Sequence, residues 1–282
     1  MSPMSRRRFG QHFLAPTWAR KVVAAVAPAA GDVFLEIGPG TGALTLPLAE
    51  SGAPILAVDI DRDLVAGLAP SVPPNVTLIA ADVLHANVVA LLRGMAPQRP
   101  LDAGGSPEPV RRYRVVGNLP YNVATPIIFR LIELHRHDAG FVDATVMIQR
   151  EVADRIVARP GGKDYGALSI FCQVHAKVTR LLELPPGAFR PVPKVRSTVV
   201  RLAFSPPAIR IVDDELFVRL VRAMFGQRRK TLKNALKPVT AAPAEALARA
   251  GIDPGRRPET LQLAELARLT EQIASANRAP ML

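Results

Sequence analysis

The feature that most constrains the fold is a regular alternation of short apolar segments with stretches of helical spacing. The helical stretches include 18–27, 43–50, 62–69 and 83–92, and the apolar segments predicted as strands are 33–37, 54–58, 76–80, 114–116 and 144–148. Parallel strands need a long crossover between them, and a helix usually supplies it. The alternation therefore predicts an α/β fold with a doubly wound, mostly parallel sheet.

The pattern changes towards the C-terminus. Segments 178–184 and 197–204 are predicted as a final strand pair, and 185–194 between them is too rich in proline for a helix or a central strand. Beyond Pro206 and Pro207 the periodicity is helical throughout. The sequence thus predicts a domain at 1–205 and a small all-helical domain at 206–282. Residues 93–112, with little periodicity, are predicted to be a surface loop.

A glycine-rich loop joins the first predicted strand to its helix. In Gly38-x-Gly40-x-Gly42, backbone N–H groups can approach a ligand closely. Asp59 and Asp82 end the next two strands, where a carboxylate can accept from ribose hydroxyls or from an adenine amino group. Together these residues predict a nucleoside pocket that fits S-adenosylmethionine. Asp59 as a helix cap and Asp82 as a turn residue are the structural alternatives.

A second turn follows the fourth predicted strand. Asn118-Leu119-Pro120-Tyr121 offers an amide oxygen, a backbone carbonyl and an aromatic face at a strand end, where open α/β sheets bind ligands. An exocyclic amino group on a flat base needs two acceptors and a stacking partner. A proline-containing turn with a packed Tyr121 is the alternative.

The charge is concentrated at the two ends of the chain. The net charge is +12, while residues 22–184 carry −2, so 1–21 and 185–282 together carry +14. Basic ends on a near-neutral body favour a polyanion such as nucleic acid, against the alternative of a solvated basic surface. The single cysteine, Cys172, excludes an internal disulfide and fits a reducing cytoplasm. No apolar run is long enough to predict a membrane span.

Several ordered motifs resemble those of the ribosomal RNA adenine N6,N6-dimethyltransferases, in particular the bacterial type that modifies the small subunit. They cover residues 6 to about 270 and lie at 8–14, 36–42, 117–122, 189–195, 224–232 and 251–261. The last two favour the small-subunit type over the antibiotic-resistance methyltransferases of large-subunit RNA. The resemblance implies a seven-stranded Rossmann-like sheet of the class I methyltransferases.

The resemblance also implies roles for individual residues. The cofactor, S-adenosylmethionine, is expected to contact His12, Leu14, Gly38, Gly40, Asp59, Asp82 and Asn118. His12 stands where the family usually has Asn, and Asp59 where it usually has Glu. The catalytic turn is expected to comprise Asn118, Leu119, Pro120 and Tyr121, with Tyr121 and Phe189 enclosing the target adenine. RNA phosphates are expected to contact Lys194, Arg196, Arg228, Arg229, Lys230 and Lys233, and no metal is required.

The expected protein is a cytoplasmic, monomeric enzyme that dimethylates adenosines of small-subunit RNA within a precursor of the 30S type. The resemblance implies that its targets are two adjacent adenosines in the 3′-terminal hairpin loop. A non-catalytic RNA-binding assembly factor is one alternative, and an intact Asn118 turn speaks against it. A large-subunit methyltransferase of the resistance type is another. A nicotinamide oxidoreductase is the third, and the spacing of the glycines speaks against it, since those enzymes use G-x-G-x-x-G.

Overall fold

The computed structural model describes residues 12–95, 112–138 and 140–278. Its backbone contacts divide the chain into two units, residues 1–153 with 177–204, and residues 154–176 with 205–282. Residues 8–11 of the motif at 8–14, and most of the loop expected at 93–112, lie outside the described residues.

The first unit is built on the predicted parallel sheet. Seven strands stand in the order β4-β3-β2-β5-β6-β9-β7. Neighbours from β4 to β6 are parallel, and β6 pairs with β9 antiparallel. The strands are β2 (Asp32–Ile37), β3 (Ile55–Asp59), β4 (Val76–Ala80), β5 (Arg112–Asn118), β6 (Phe141–Gln149), β7 (Ala176–Leu184) and β9 (Ser197–Phe204). The chain runs from β2 outwards through β3 and β4 and then returns to β5, so the switch point lies between β2 and β5.

The crossover helices of this unit agree with the sequence prediction except in their ends. They are α1 (Pro16–Val26), α2 (Thr45–Ala49), α3 (Arg62–Leu68), α4 (Val88–Met95) and α5 (Ala124–His137), and α6 (Arg150–Ile156) follows β6. Helix α4 begins five residues later than expected. The Asp82 carboxylate accepts the Leu84 N–H and the Asp82 carbonyl accepts the N–H groups of His85 and Ala86, so this segment forms a turn. Such local bonds from an Asp compete with helix formation.

A buried ion-pair network joins the elements at the far end of the sheet. Arg114, 5% exposed, donates to Asp32 at 2.9 Å and to Asp143 at 2.9 and 2.8 Å. The same guanidinium donates to the carbonyls of Val26 and Ala27. One side chain on β5 therefore fixes the end of α1 against β2 and β6.

A two-stranded sheet lies apart from the main one. Strand β1 (Phe13–Leu14) pairs antiparallel with β8 (Phe189–Arg190), with Leu14 opposite Phe189. This pairing brings the start of the described chain to the proline-rich segment near residue 190.

The second unit is helical. It contains α7 (Ala167–His175), α8 (Asp214–Gly226), α9 (Leu232–Ala235), α10 (Pro243–Arg249) and α11 (Leu263–Arg278). Its second segment begins at residue 205, one position before the boundary predicted from the sequence, and 154–176, which the sequence places in the first domain, belongs to this unit by its contacts. Phe171 of α7 packs edge-on against Phe217 of α8 at 6.1 Å, and Gly161 N–H donates to the Glu259 carbonyl at 2.7 Å.

Among the described residues, none of the helices has the length and apolar character needed to cross a membrane.

Candidate active site

A cavity opens at the carboxyl ends of β2, β3 and β5 and beside the turn after β4, next to the switch point. Ten of the residues predicted from the sequence line it: His12, Leu14, Gly38, Gly40, Asp59, Asp82, Asn118, Leu119, Pro120 and Tyr121. The whole cavity belongs to the first unit. The sheet topology therefore gathers residues that are more than 100 positions apart.

The glycine loop after β2 is held to β3 by Asp59. The Asp59 carboxylate accepts the Gly40 N–H at 3.1 Å and the Asp61 N–H at 3.0 Å. The side chain is 7% exposed, and burial raises its pKa above the ordinary value despite these bonds. Gly40 has a positive φ of 57°, and a Cβ there would come within 3.2 Å of the Phe13 ring, so the loop needs glycine.

Asp82 closes the cavity beside the adjacent strand. One carboxylate oxygen accepts the Leu84 N–H and the other lies 3.0 Å from His85 Nδ1. His85 is exposed and is not among the lining residues, so its contact orients the Asp82 carboxylate and leaves that carboxylate accessible from the cavity.

The Asn118 side chain has its orientation set by a backbone group. Its Nδ2 donates to the His12 carbonyl at 2.8 Å, which leaves Oδ1 as the amide atom with no protein partner among the described residues. The preceding Gly117 lies so close to β2 that a Cβ would stand 2.6 Å from the Ile37 carbonyl oxygen. The turn is therefore pressed against the strand that carries the glycine loop.

Tyr121 is fixed at both ends. Its hydroxyl is 2.8 Å from Ser197 Oγ, and its ring is stacked with the His12 ring at a centroid distance of 5.5 Å. His12 in turn places Nδ1 2.7 Å from the Pro191 carbonyl oxygen. The side chain of His12 thus links the Tyr121 turn to the proline-rich segment.

Phe189 is the one residue expected at the catalytic turn that does not line this cavity, and its role beside the target base stays a prediction. Its ring is fully buried among Leu14, Val22, Met147 and Val199, and it does not line the cavity. The β1–β8 pairing turns this side chain into the core.

Glu36 is a cavity residue that the sequence analysis did not single out. It lies on β2, is 1% exposed, and its Oε2 has no hydrogen-bond partner among the described residues. Burial, opposed by Thr45 and reinforced by Asp59, raises its pKa to about 7. The sequence signal for Glu36 was a carboxylate within an otherwise apolar strand. Burying a charge is costly unless it is paired or hydrogen-bonded, so such a residue indicates a functional role.

The basic residues expected to contact RNA occur in both units. In the first, Lys194 and Arg196 are exposed beside Val192 and Val195, which are 55% and 41% exposed. In the second, Arg229, Lys230 and Lys233 are exposed, and Arg228 is half-buried and donates to the Lys163 carbonyl at 2.9 Å.

The polar groups that line the cavity fit a cationic nucleoside. Carboxylates at positions 36, 59 and 82 surround a glycine cradle, and the lining includes neither Lys nor Arg. A ligand with a positive sulfonium, ribose hydroxyls and an adenine amino group matches such a cavity.

This sheet order and cavity define a class I methyltransferase, the class that uses S-adenosylmethionine. A family model described as "Ribosomal RNA adenine dimethylase" matches residues 4–275, and the chain belongs to that family. It is therefore a methyltransferase of ribosomal RNA adenine.

Individual relatives agree with this assignment. The chain is 43% identical over 275 residues to "Ribosomal RNA small subunit methyltransferase A" of Aromatoleum aromaticum, covering 96% of this chain and 95% of the relative. It is 42% identical to the protein of the same name from Acinetobacter baylyi, covering 95% and 92%.

Solved structures share the fold. A dimethyladenosine transferase from Plasmodium falciparum matches with a TM-score of 0.70 and 23% identity, over 94% of this chain and 98% of that one. The 23S rRNA methyltransferase ErmE matches with a TM-score of 0.60 and 24% identity, over 93% and 99%.

Proposed function

We propose that this methyltransferase dimethylates N6 of two adjacent adenosines in the 3′-terminal hairpin loop of small-subunit ribosomal RNA. It acts as a cytoplasmic monomer on a precursor of the small subunit. The observation that carries the proposal is the pinned amide of Asn118, whose free Oδ1 lines the same cavity as the glycine loop and Asp59.

The chemistry required of the protein is positioning. Adenine N6 is a poor nucleophile because its lone pair is delocalised into the ring, and the cofactor, when bound, supplies an activated methyl group. Asn118 Oδ1 and the Leu119 carbonyl oxygen accept hydrogen bonds from the two N6–H groups. These acceptors hold N6 towards the methyl and stabilise the positive charge that develops on nitrogen.

Access to this turn requires the target base to leave its stack. Tyr121 offers a ring for the unstacked base, and its bond to Ser197 keeps that ring in place. Phe189 is buried, and His12 supplies a second ring beside Tyr121. A second transfer needs the same pocket to accept a monomethylated N6, which retains a single N–H.

Binding of the RNA relies on phosphate contacts, which position the strand. We assign them to Lys194 and Arg196 in the first unit and to Arg228, Arg229, Lys230 and Lys233 in the second. The choice of the small subunit is supported by the names of the relatives and by the motifs at 224–232 and 251–261.

The test is to incubate the protein with labelled S-adenosylmethionine and undermethylated small subunits, and to map the label by nucleotide. Large subunits and fully methylated small subunits are the parallel substrates. Label in two adjacent adenosines of the small-subunit hairpin supports the proposal. Label on large-subunit RNA, or binding without transfer, would replace it with the resistance-type enzyme or the assembly factor.

A further inference from the structure

The cavity is negatively lined, and one of its carboxyl groups is isolated from water. Glu36, Asp59 and Asp82 line it, and the lining contains no Lys or Arg side chain. Asp59 accepts a hydrogen bond from the Gly40 N–H at 3.1 Å, and Asp82 accepts one from the Leu84 N–H at 3.0 Å. Glu36 Oε2, by contrast, is buried without a partner among the described residues. Of the three, Glu36 has the least compensation for a negative charge.

The neighbours of Glu36 do not supply a counter-charge. Thr45 at the start of α2 offers hydrogen-bond donors, and Asp59 on β3 adds a second negative charge. The charged side chains on β5 are Arg112 and Arg114, opposite Asp32 and Phe34. Arg112 lies 3.8 Å from Asp32, and Arg114 is bonded to Asp32 and Asp143, so neither is paired with Glu36. The pKa of about 7 follows from this environment, so near neutral pH the proton is held but easily lost.

We propose that Glu36 is a proton-linked positioning residue, which gives up its proton when the positively charged cofactor enters the cavity and then orients that charge as a carboxylate. The inference rests on the proposed use of S-adenosylmethionine. The proton passes to bulk buffer, and no covalent bond changes. Without cofactor, the protonated Glu36 thereby avoids a second negative charge beside Asp59, and with cofactor bound its carboxylate lies opposite a cation.

The sign of the linkage follows directly. A cation beside Glu36 favours the ionised form and lowers its pKa, so binding releases a proton wherever the free protein is still protonated. Affinity therefore rises with pH below about 7, with a limiting slope of about tenfold per pH unit. Above that pH the carboxyl is already ionised and the affinity levels off.

The experiment is calorimetric titration of the full-length protein with S-adenosylmethionine at pH 6 and pH 8. Each titration is repeated in two buffers of different ionisation enthalpy. We expect release of close to one proton per cofactor at pH 6 and almost none at pH 8. This readout does not depend on methyl transfer and needs no variant.

Two variants assign the proton. Glu36→Gln should abolish the release at pH 6 and weaken binding about tenfold or more at pH 8, where the wild-type carboxylate is ionised. Its affinity should converge with that of the wild type as the pH falls. Glu50→Gln, the same change at an exposed position after α2, should keep both the affinity and the proton.

The outcomes separate the two proposals. Absence of binding by the wild type at both pH values would overturn the proposed function. Binding without any dependence on the buffer, or a proton release that persists in Glu36→Gln, would overturn the role of Glu36 alone. A folded Glu36→Gln protein, shown by an unchanged circular dichroism spectrum, is required for the comparison.

Discussion

At the scale of the residue, the site works because backbone groups fix the side chains. The His12 carbonyl holds the Asn118 amide, and the Gly40 and Asp61 N–H groups hold Asp59. A main-chain partner does not depend on the side chain at its own position. This explains how His12 can stand where the family usually has Asn without releasing Asn118.

Asn118→Ala should abolish methyl transfer and leave the fold intact. The position is a half-buried turn at the sheet edge, so truncation removes an acceptor for N6 without opening a large cavity. Loss of one preorganised transition-state partner costs about 10²–10³ in rate. Single-turnover methylation at saturating cofactor measures this, and a rate within threefold of the wild type would contradict the role of the turn.

Asp59→Ala should weaken binding of S-adenosylmethionine by about 2–3 kcal/mol, because the ribose hydroxyls lose a charged acceptor. The Gly40 N–H loses its partner at the same time. Calorimetry against Asp63→Ala, an exposed carboxylate on α3, is the matched comparison. Equal affinities for the two variants would remove Asp59 from the cofactor site.

Glu36→Gln should make the cofactor-free protein more stable at alkaline pH. The folded-state pKa of about 7 lies above the ordinary 4.5, so stability is undiminished below about 4.5 and is lost as the pH rises through 7. The neutral Gln escapes that loss, with a gain of about 3 kcal/mol at pH 8 and none at pH 4.5. Urea unfolding at the two pH values tests this, and a gain that is equal at both would refute the titration.

The sequence predicted many of the residues that line this cavity because they lie at strand ends, in a glycine loop and in a turn, which are local signals. Glu36 and Phe189 show where such reasoning stops. The burial of Glu36 depends on strands paired on both sides of β2, and that of Phe189 on pairing with Leu14, 175 positions away. Neither is visible in the local pattern.

At the scale of the element, buried ion pairs stabilise the end of the sheet opposite the cavity. Arg114 on β5 joins α1, β2 and β6 through two carboxylates and two carbonyls, all buried or nearly so. This arrangement fixes the register of the strands whose other ends form the cavity. The sequence predicted the strands but not this network, because the partners of Arg114 come from segments 29 to 88 positions away along the chain.

Arg114→Leu should destabilise the first unit strongly, because Asp32 and Asp143 would be left as buried charges without their partner. Removing one member of such a network costs about 3–5 kcal/mol. Arg93→Leu removes an exposed partner of Asp138 and should cost less than about 1 kcal/mol. Urea unfolding compares the two, and similar costs would mean that the buried network contributes no more than a surface pair.

At the scale of the whole molecule, the chain separates a near-neutral catalytic body from basic ends. A pair of prolines and a change of periodicity led to the predicted boundary at 205/206, one residue from the division in backbone contacts at 204/205. The inclusion of 154–176 in the helical unit was not, because it depends on contacts such as Phe171 with Phe217 that join distant segments. Charge, by contrast, could be read from composition alone, and it carries the prediction that concerns the whole protein.

Replacing Arg228, Arg229 and Lys230 together by Ala should weaken RNA binding across sequences. The slope of log affinity against log salt should flatten by about 0.7–0.9 for each lost phosphate contact. Arg210, Arg219 and Arg222, also exposed in the second unit, give a triple-Ala control that removes the same charge. Filter binding to small subunits at salt concentrations from about 50 to about 300 mM measures both triple variants.

If the attraction is only general and electrostatic, the two triple variants should lose affinity equally. If residues 228–230 contact phosphates directly, their triple variant should lose more affinity and show a flatter salt slope than the control. If that triple kept the affinity and slope of the wild type, the segment would be a solvated basic surface.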